Sequence, residues 1–309
     1  MSNTLPSASS CAYSAPMGRA QTVRTSVTRV TELSVDPVVE HGPDDVIVEE
    51  PLSIRLDGHL VSSTMRTPGH DVELAVGLCF TDGLLAGAPV VGVRFVPTDD
   101  LADDAGDSSA RSDQPVTSNL VDVDTGGRAP VPSPRLGNVS SSCGWCGSDQ
   151  IDDLCLRLHP LVETTPFDLA TLASVPALVA HHQHLFASTG AAHCAAVFDR
   201  SGQVVMARED VGRHNAVDKV VGGLVLEGGR LPATGLGLFV SGRASIEMVQ
   251  KAWAAGFGTL LAVSAPTSLA VEAARRARMT LVGFARGDVL NVYSTCESWH
   301  SDNVRNDVP

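Results

Sequence analysis

The chain has 309 residues, which is enough for two ordinary domains with separate cores. Its composition, 43% hydrophobic and 18% charged, is that of a soluble globular protein and excludes a disordered chain. No stretch approaches the roughly 18 apolar residues of a membrane helix, and the first twenty residues lack the apolar core of a signal peptide. Seven cysteines, an odd number without an export signal, lead us to expect reduced thiols and a cytoplasmic protein.

The formal net charge of −13 is unevenly distributed along the chain. Residues 98–137 contain eight Asp against three Arg, whereas residues 140–296 contain 12 Lys and Arg against 13 Asp and Glu. The acidic excess favours solubility, and we expect neither a nucleic-acid partner nor a membrane partner. The near-neutral second half does not exclude a small anionic ligand.

The N-terminal part of the chain has the patterns of a small α+β domain. Alternating residues at 22–33 and 89–96 indicate strands, and Asp57-Gly58 predicts a hairpin turn because both turn positions need positive φ. A helix is predicted at 71–80, since acidic residues open it. Residues 98–137, rich in Asp, Ser, Pro and Gly, are expected to form an acidic surface insertion that buries little.

The C-terminal part alternates helices with short, almost entirely apolar strands, which is typical of a sheet covered on both faces. A helical hairpin is predicted at 167–186, interrupted at Val175-Pro176. The other predicted elements are strands at 194–198, 204–207, 236–240, 258–263, 279–284 and 289–293, and helices at 213–226, 244–255 and 268–277.

These patterns predict the domain organisation of an α/β protein. We expect flexible tails at 1–20 and 297–309, and a smaller α+β domain at 21–140 that contains the acidic insertion. The larger α/β domain is expected at 141–296 and begins with a loop that carries two cysteines.

Cys143-Gly144-Trp145-Cys146 places two thiols two residues apart, between serines and Gly147. Such a pair is able to carry sulfur, exchange a disulfide or supply half of a zinc site. A thioredoxin-like site sits at the start of a helix that follows an early strand, whereas this pair follows a long polar loop. Mobile thiols in such a loop suit a sulfur carrier.

Zinc-dependent alternatives fit the sequence less well. A structural zinc site needs a second compact ligand pair, and neither Cys155 with His159 nor the cluster of His181, His182 and His184 forms one. A deaminase needs His-x-Glu before Pro-Cys-x-x-Cys, and this chain has neither that order nor that acid. We therefore expect no permanently bound metal.

Polar loops between predicted strands and helices indicate a site for an anion. Ser241, Gly242 and Arg243 form one such loop, and residues 264–268 form a second. Arg213 and His214 follow Gly212 in a third. Ligands of open α/β sheets collect beyond the carboxyl ends of the strands, where helix N-termini offer N–H groups to phosphates. Serine and threonine at these positions also serve simply as helix caps.

The chain contains only two lysines, Lys219 and Lys251, and each falls in the middle of a predicted helix. A solvent-facing or salt-bridged lysine is the ordinary interpretation, with Asp218 and Glu247 close enough in sequence to pair with them. They remain secondary candidates for a functional role.

Six long segments together resemble the FdhD family, the accessory sulfurtransferases of formate dehydrogenase. The similarity runs in order from about residue 22 to residue 294. The segments are RTPGHDVELAVGLCFTDG (66–83), SSCGWCG (141–147), EDVGRHNAVDKVVG (209–222), SGRASIEMVQKAWAAG (241–256), SAPTSLAVEAA (264–274) and LVGFARGDVLNVY (281–293).

The resemblance implies a cytoplasmic homodimer whose larger domain has a three-layer, cytidine-deaminase-like α/β fold without deaminase chemistry. It also implies an activity. Proteins of this family take sulfur from a cysteine desulfurase as a persulfide. They pass it to the molybdenum of the bis(molybdopterin guanine dinucleotide) cofactor before that cofactor enters formate dehydrogenase.

By the same resemblance, Cys143 carries the persulfide and Cys146 is a relay or resolving thiol. The matching cofactor-binding stretch consists of Phe284, Ala285, Arg286, Gly287, Asp288 and Val289. The chemistry of the side chains suggests arginines for the pyrophosphates and Asp288 for a guanine N–H. Two alternatives stay open: a cofactor-binding chaperone without persulfide chemistry, and a thiol–disulfide oxidoreductase.

Overall fold

The computed structural model describes residues 19–31, 38–97, 119–132, 149–162, 166–228, 231–287 and 289–296. Over these ranges the elements, in chain order, are β1 (Thr22–Thr31), β2 (Val38–Ile47), β3 (Glu50–Leu56), β4 (His59–Arg66), α1 (Asp71–Thr81), β5 (Gly92–Phe95), β6 (Leu120–Asp124), α2 (Asp149–Arg157), α3 (Leu169–Ala180), α4 (His184–Thr189), β7 (His193–Phe198), β8 (Val204–Asp210), α5 (Arg213–Leu226), β9 (Gly237–Val240), α6 (Ile246–Ala254), β10 (Thr259–Ala262), α7 (Ser268–Ala277), β11 (Thr280–Arg286) and β12 (Val289–Ser294).

The chain divides into two compact units that are not continuous in sequence. The first unit comprises Met1–Gly144, His182–Cys194 and Arg208–Arg230, and the second comprises Trp145–His181, Ala195–Ala207 and Leu231–Pro309. The domain bounds expected from the sequence stay a prediction. Residues 208–230 belong to the first unit because α5 packs against α1.

The first unit contains a four-stranded sheet in the order β4-β3-β6-β5. Alternation in β3 buries Leu52, Ile54 and Leu56, which form one core cluster with Leu74 and Leu78 of α1. Burial of these apolar side chains is the main stabilising contribution in this unit. The strands β1 and β2 form a separate antiparallel pair.

The turn between β3 and β4 confirms the predicted hairpin. Asp57 and Gly58 have φ values of 49° and 81°, the positive values that a two-residue turn of this kind requires. The carboxylate of Asp57 accepts a hydrogen bond from the backbone N–H of Thr125 at 2.7 Å, which ties the turn to the end of β6.

The strand β6 corrects the prediction that residues 98–137 form an insertion that buries little. Leu120, Val121 and Val123 are buried, and β6 pairs in parallel with β3 and antiparallel with β5. The acidic composition around it concealed this short apolar run. Residues 98–118 and 133–137 lie outside the described residues.

The second unit is built on a six-stranded sheet in the order β12-β11-β10-β9-β7-β8. The strands β9, β10 and β11 are mutually parallel, whereas β7 and β12 run antiparallel to their partners β9 and β11. Each residue of β9 and β10 is buried, as predicted for strands covered on both faces. The arrangement is mixed α/β, and its likeness to cytidine deaminases stays a prediction.

The predicted break at Val175-Pro176 is wrong. Pro176 lies inside α3, which runs on to Ala180, and the chain leaves the helix only before α4. Burial of Leu172, Val175 and Val179 along one side stabilises the helix despite the missing N–H group. None of the described helices is long and apolar enough to cross a membrane.

Candidate functional site

Three loops lie at the same edge of the sheet in the second unit. Ser241–Arg243 follow β9 directly, residues 263–267 follow β10, and β11 ends at Arg286. Because β9, β10 and β11 are parallel, their carboxyl ends meet at one edge. This is the edge at which open α/β sheets bind their ligands.

Backbone hydrogen bonds join the three loops into one surface. The N–H of Ser264 donates to the carbonyl of Gly242 at 3.3 Å, and the N–H of Thr267 donates to the carbonyl of Ala244 at 3.0 Å. The N–H of Phe284 in turn donates to the carbonyl of Ser264 at 3.3 Å. The loops therefore hold one another in place rather than moving independently.

Phe284 has an unusual backbone conformation in this surface. Its φ of 53° lies in the left-handed region that residues other than glycine rarely adopt, and the residue is 41% exposed. The preceding Gly283 has no room for a side chain, because a Cβ atom there would meet Pro266 at 2.9 Å and Tyr293 at 3.0 Å. Strained residues of this kind cluster at ligand sites.

Two helices begin at this edge, and their caps differ. The Thr267 side chain accepts a hydrogen bond from the N–H of Ala270 at 3.2 Å, so it acts as an ordinary cap of α7. Ser245 is the N-cap of α6 but makes no side-chain cap hydrogen bond, and its buried Oγ has no hydrogen-bond partner among the described residues. The first turn of α6 therefore retains donors that no side-chain cap satisfies.

Arginines supply positive charge to the same edge. The Arg286 side chain donates from Nε to the carbonyl of Val263 at 3.2 Å, and Arg243 is exposed. Guanidinium groups beside an uncapped helix N-terminus, such as that of α6, are well suited to bind phosphate groups. The surface formed by Ser241–Arg243, residues 263–267 and residues 284–287 is called the loop edge below.

The structure brings most of the predicted C-terminal site residues together. Ser241, Gly242 and Arg243 lie in the loop edge with Phe284, Ala285, Arg286 and Gly287. Ala285 is only 1% exposed, so its side chain serves packing, whereas Val289 is 63% exposed at the start of β12. The binding roles of these residues stay predictions, and Cys143, Cys146 and Asp288 lie outside the described residues.

Arg213 and His214 lie in the first unit, at the beginning of α5. The N-cap Gly212 supplies no side-chain hydrogen bond, and the buried Nε of Arg213 has no hydrogen-bond partner among the described residues. Burial lowers the pKa of nearby His193, and the charge of Arg213 lowers it further. The positive charge of Arg213 thus disfavours a second positive charge on His193.

The predicted pairing of Lys219 with Asp218 is wrong. Lys219 is fully buried, and its Nζ lies 2.7 Å from Oδ2 of Asp210, which is equally buried. Asp218 instead accepts a hydrogen bond from Oγ1 of Thr81 at 2.8 Å. Sequence reasoning missed Asp210 because its partner is nine residues away and the two do not share a helix. Lys251 is also buried, with 7% exposure.

A second buried ion pair lies close to the first. Arg66 has no exposed surface and binds Asp71 through two hydrogen bonds, of 2.9 and 3.1 Å. Arg66 also donates to Glu50 at 3.2 Å and to Asn119 at 3.1 Å. The end of β4 is therefore anchored to the first residue of α1, to the first residue of β3 and to the residue before β6.

The described residues contain no group of three or more His, Cys, Asp or Glu side chains arranged to hold a metal ion. His181, His182 and His184 are exposed, as expected for a solvated helical face. Four cysteines in the described ranges are free thiols, namely Cys79, Cys155, Cys194 and Cys296.

Comparison with known proteins gives consistent results over most of the chain. The sequence profile of the FdhD/NarQ family matches residues 47–300. A protein of Anaeromyxobacter dehalogenans named sulfur carrier protein FdhD is 42% identical over 267 residues, covering 82% of this chain and 88% of the relative. A Streptomyces avermitilis protein of the same name is 42% identical over 284 residues, covering 90% and 95%.

The fold is also similar to a solved structure. A crystal structure of a Desulfotalea psychrophila protein, assigned provisionally as a formate dehydrogenase accessory protein, matches with a TM-score of 0.67 and 20% identity. The match covers 90% of this chain and 99% of that protein, so the two share their fold over almost their whole length. The profile match and the identity to the two relatives confirm the resemblance seen in the sequence: the chain belongs to the FdhD/NarQ family.

Proposed function

We propose that this protein is a sulfur carrier and sulfurtransferase that serves formate dehydrogenase. The observation that carries the proposal is the similarity to two proteins named sulfur carrier protein FdhD. Each of them is 42% identical to this chain, over 82% of its length for one and 90% for the other. A sulfur carrier needs a nucleophilic thiol that both a donor and an acceptor are able to reach. Cys143 and Cys146 are the two thiols that we assign to this role, because the sequence places them in one short segment.

The loading step requires only thiol exchange chemistry. The thiolate of Cys143 attacks the outer sulfur of a persulfide on a cysteine desulfurase. The sulfur–sulfur bond of the donor breaks, its cysteine leaves as a thiolate, and Cys143 becomes the persulfide. No net oxidant is consumed, because one persulfide is lost as another forms. Cys146 then acts as a relay or resolving thiol.

The acceptor in this proposal is the molybdenum of bis(molybdopterin guanine dinucleotide), bound as a substrate before it enters formate dehydrogenase. The loop edge supports this ligand class, because Arg243 and Arg286 suit its pyrophosphates and the exposed Phe284 ring suits a flat heterocycle. The family resemblance further supports a cytoplasmic homodimer.

A complementation experiment tests the proposal. In a strain that lacks its own carrier, wild-type protein and Cys155→Ala are expected to restore formate dehydrogenase activity, since Cys155 lies in α2 and not in the Cys143–Cys146 segment. Cys143→Ala is expected to restore none. Full activity with Cys143→Ala would favour a cofactor chaperone, and a reversible Cys143–Cys146 disulfide with a defined potential would favour a thiol–disulfide oxidoreductase.

A further inference from the structure

The buried pair of Asp210 and Lys219 has no role in the transfer chemistry above, yet both side chains make several further hydrogen bonds. The Nζ of Lys219 lies 2.7 Å from Asp210 and donates to the carbonyls of Thr67 at 2.9 Å and Glu209 at 3.4 Å. These contacts use all three of its N–H donors. Lys219 therefore has no free N–H donor left for a ligand.

Thr67 is the first of these groups. Its N–H donates to Oδ2 of Asp210 at 3.1 Å, and its carbonyl accepts from Lys219. Its Oγ1 accepts from the N–H of Val211 at 3.1 Å. Asp210 also accepts from the N–H of Gly212 at 2.8 Å. The pair thus joins the residues before α1 to the residues before α5.

Asn215 extends these bonds into the first turn of α5. Its Nδ2 donates to Oδ1 of Asp210 at 2.9 Å and to the carbonyl of Met65 at 2.7 Å. Its Oδ1 accepts from the hydroxyl of Thr64 at 3.2 Å. Because a helix turn is rigid, fixing Gly212 and Asn215 also fixes the backbone between them, which carries Arg213 and His214.

A contribution to the stability of the fold does not by itself explain the buried ion pair of Asp210 and Lys219. Desolvation cancels much of the attraction within a buried ion pair, and well-packed apolar side chains often replace such a pair without loss. What apolar side chains do not reproduce is the set of directional bonds to Thr67, Gly212 and Asn215. The pair determines the geometry of the segment more than its free energy of unfolding.

We propose that Asp210 and Lys219 are positioning residues that hold Arg213 and His214 in the geometry required to bind the anionic, guanine-bearing part of the cofactor. This inference rests on the proposed function, since it names the residues that prepare the first unit for that ligand. Neither Asp210 nor Lys219 touches the ligand. Their removal affects binding through the placement of the first turn of α5.

The test compares guanosine diphosphate binding with thermal stability. The probe carries the guanine and the pyrophosphate of the cofactor. The variants are Lys219→Met, Asp210→Asn and the double variant Asp210→Asn/Lys219→Met, which removes both charges together. The matched control is Arg66→Met/Asp71→Asn, which removes the neighbouring buried pair but no bond to Val211, Gly212 or Asn215.

We expect the double variant to melt closer to the wild type than either single variant, because it leaves no uncompensated buried charge. Its affinity for guanosine diphosphate is nevertheless expected to fall roughly tenfold, whereas the control keeps wild-type affinity. Wild-type affinity in a folded double variant would overturn the inference. So would an equal loss of affinity in the control.

Hydrogen exchange separates this inference from the proposed function. In the double variant, the amides of Thr67, Val211 and Gly212 should exchange faster while the core strand β3 stays protected. Unchanged exchange at these three amides would overturn the positioning role whatever the ligand. If the wild-type protein does not bind guanosine diphosphate, the proposed cofactor binding is contradicted instead. Hydrogen exchange alone would then decide whether Asp210 and Lys219 hold the first turn of α5 in place.

Discussion

Gly77 of α1 and Gly222 of α5 lie at the point where the two helices cross with their backbones in contact. A Cβ atom on Gly77 would lie 1.8 Å from the carbonyl oxygen of Asp218, and one on Gly222 would lie 1.8 Å from that of Glu73. Only hydrogen fits in these two places. The close crossing fixes the distance between two of the segments that identify the family.

Replacing either glycine should therefore separate the helices. We predict that Gly222→Ala destabilises the protein by about 3 kcal/mol or more, because backbone and not a flexible side chain occupies the space. Urea unfolding followed by circular dichroism measures the change. In the control Gly92→Ala, the new Cβ meets only Asp124 at 3.8 Å, so the free energy of unfolding should change by less than about 1 kcal/mol. Equal stability of the two variants would contradict this description of the crossing.

Glu73 should make stability depend on pH in the acid range. Burial raises the pKa of this carboxyl. Hydrogen bonds from Arg208 at 2.6 and 2.8 Å and one with His70 together lower it by more than burial raises it, so the net pKa lies below its ordinary value of 4.5. A carboxyl whose pKa is lower in the folded protein than in the unfolded chain stabilises the fold. This stabilisation is fully present above the pKa of the unfolded chain and is lost as the pH falls through the pKa of the folded protein.

The variant Glu73→Gln should therefore lose stability at neutral pH and depend less on pH below about pH 5 than the wild type. Urea midpoints measured in steps from neutral pH into the acid range check this. A wild-type slope in Glu73→Gln would show that other carboxyls account for the acid dependence.

The buried thiols should not carry sulfur. Burial raises the pKa of Cys79 and of Cys194 to about 12, and the nearby carboxylates of Asp82 and Glu209, respectively, raise it further. At pH 8 only about one molecule in ten thousand would present either thiolate. We predict that iodoacetamide leaves both unlabelled in the native protein and labels both in denaturant, with the less buried Cys155 as the accessible comparison. Rapid native labelling of Cys79 or Cys194 would refute this prediction.

Arg243 should contribute directly to anion binding at the loop edge. We predict that Arg243→Gln weakens the binding of inorganic pyrophosphate by about tenfold, the effect of losing one charged hydrogen bond. Isothermal titration at two salt concentrations measures the affinity and its salt dependence. Arg276→Gln is the matched control, since Arg276 is an exposed arginine on α7 that pairs with Glu272 at 3.1 Å. Equal affinity in Arg243→Gln and Arg276→Gln would show that Arg243 does not bind the anion.

The hydrophobic periodicity of the sequence predicted the helices and strands that have a clear pattern of apolar residues of their own. The bounds of α5 and α7 agree with the prediction, and the parallel strands β9, β10 and β11 agree within two residues. Short apolar strands and amphipathic helices can be recognised from the pattern of apolar and polar residues within the element itself.

Elements that depend on distant partners could not be predicted in this way. The strand β6 is a five-residue run among acidic residues, and it becomes a strand by pairing with β3. The strand β2 was missed because it is almost wholly exposed and pairs only with β1. Tertiary context also overrides the helix-breaking tendency of Pro176.

In the candidate site, too, local features could be predicted from the sequence and contacts between distant residues could not. The position of Ser241–Arg243 after an apolar strand was sufficient to place that loop at the carboxyl edge of a sheet. The ion pair of Lys219 with Asp210 was not visible in the sequence. Proximity in sequence pointed to Asp218, and only the folded chain brings Asp210 within 2.7 Å. Long-range polar pairs of this kind leave no periodic trace in a sequence.

The measurement that tests the central claim most directly is the mapping of transferred sulfur by mass spectrometry. The purified protein is incubated with a cysteine desulfurase and cysteine, and then analysed intact and as peptides. We predict the mass of one added sulfur on Cys143, removed by reductant and absent from Cys143→Ala. An active desulfurase that leaves no added sulfur on Cys143 or Cys146 would contradict the sulfur-carrier function.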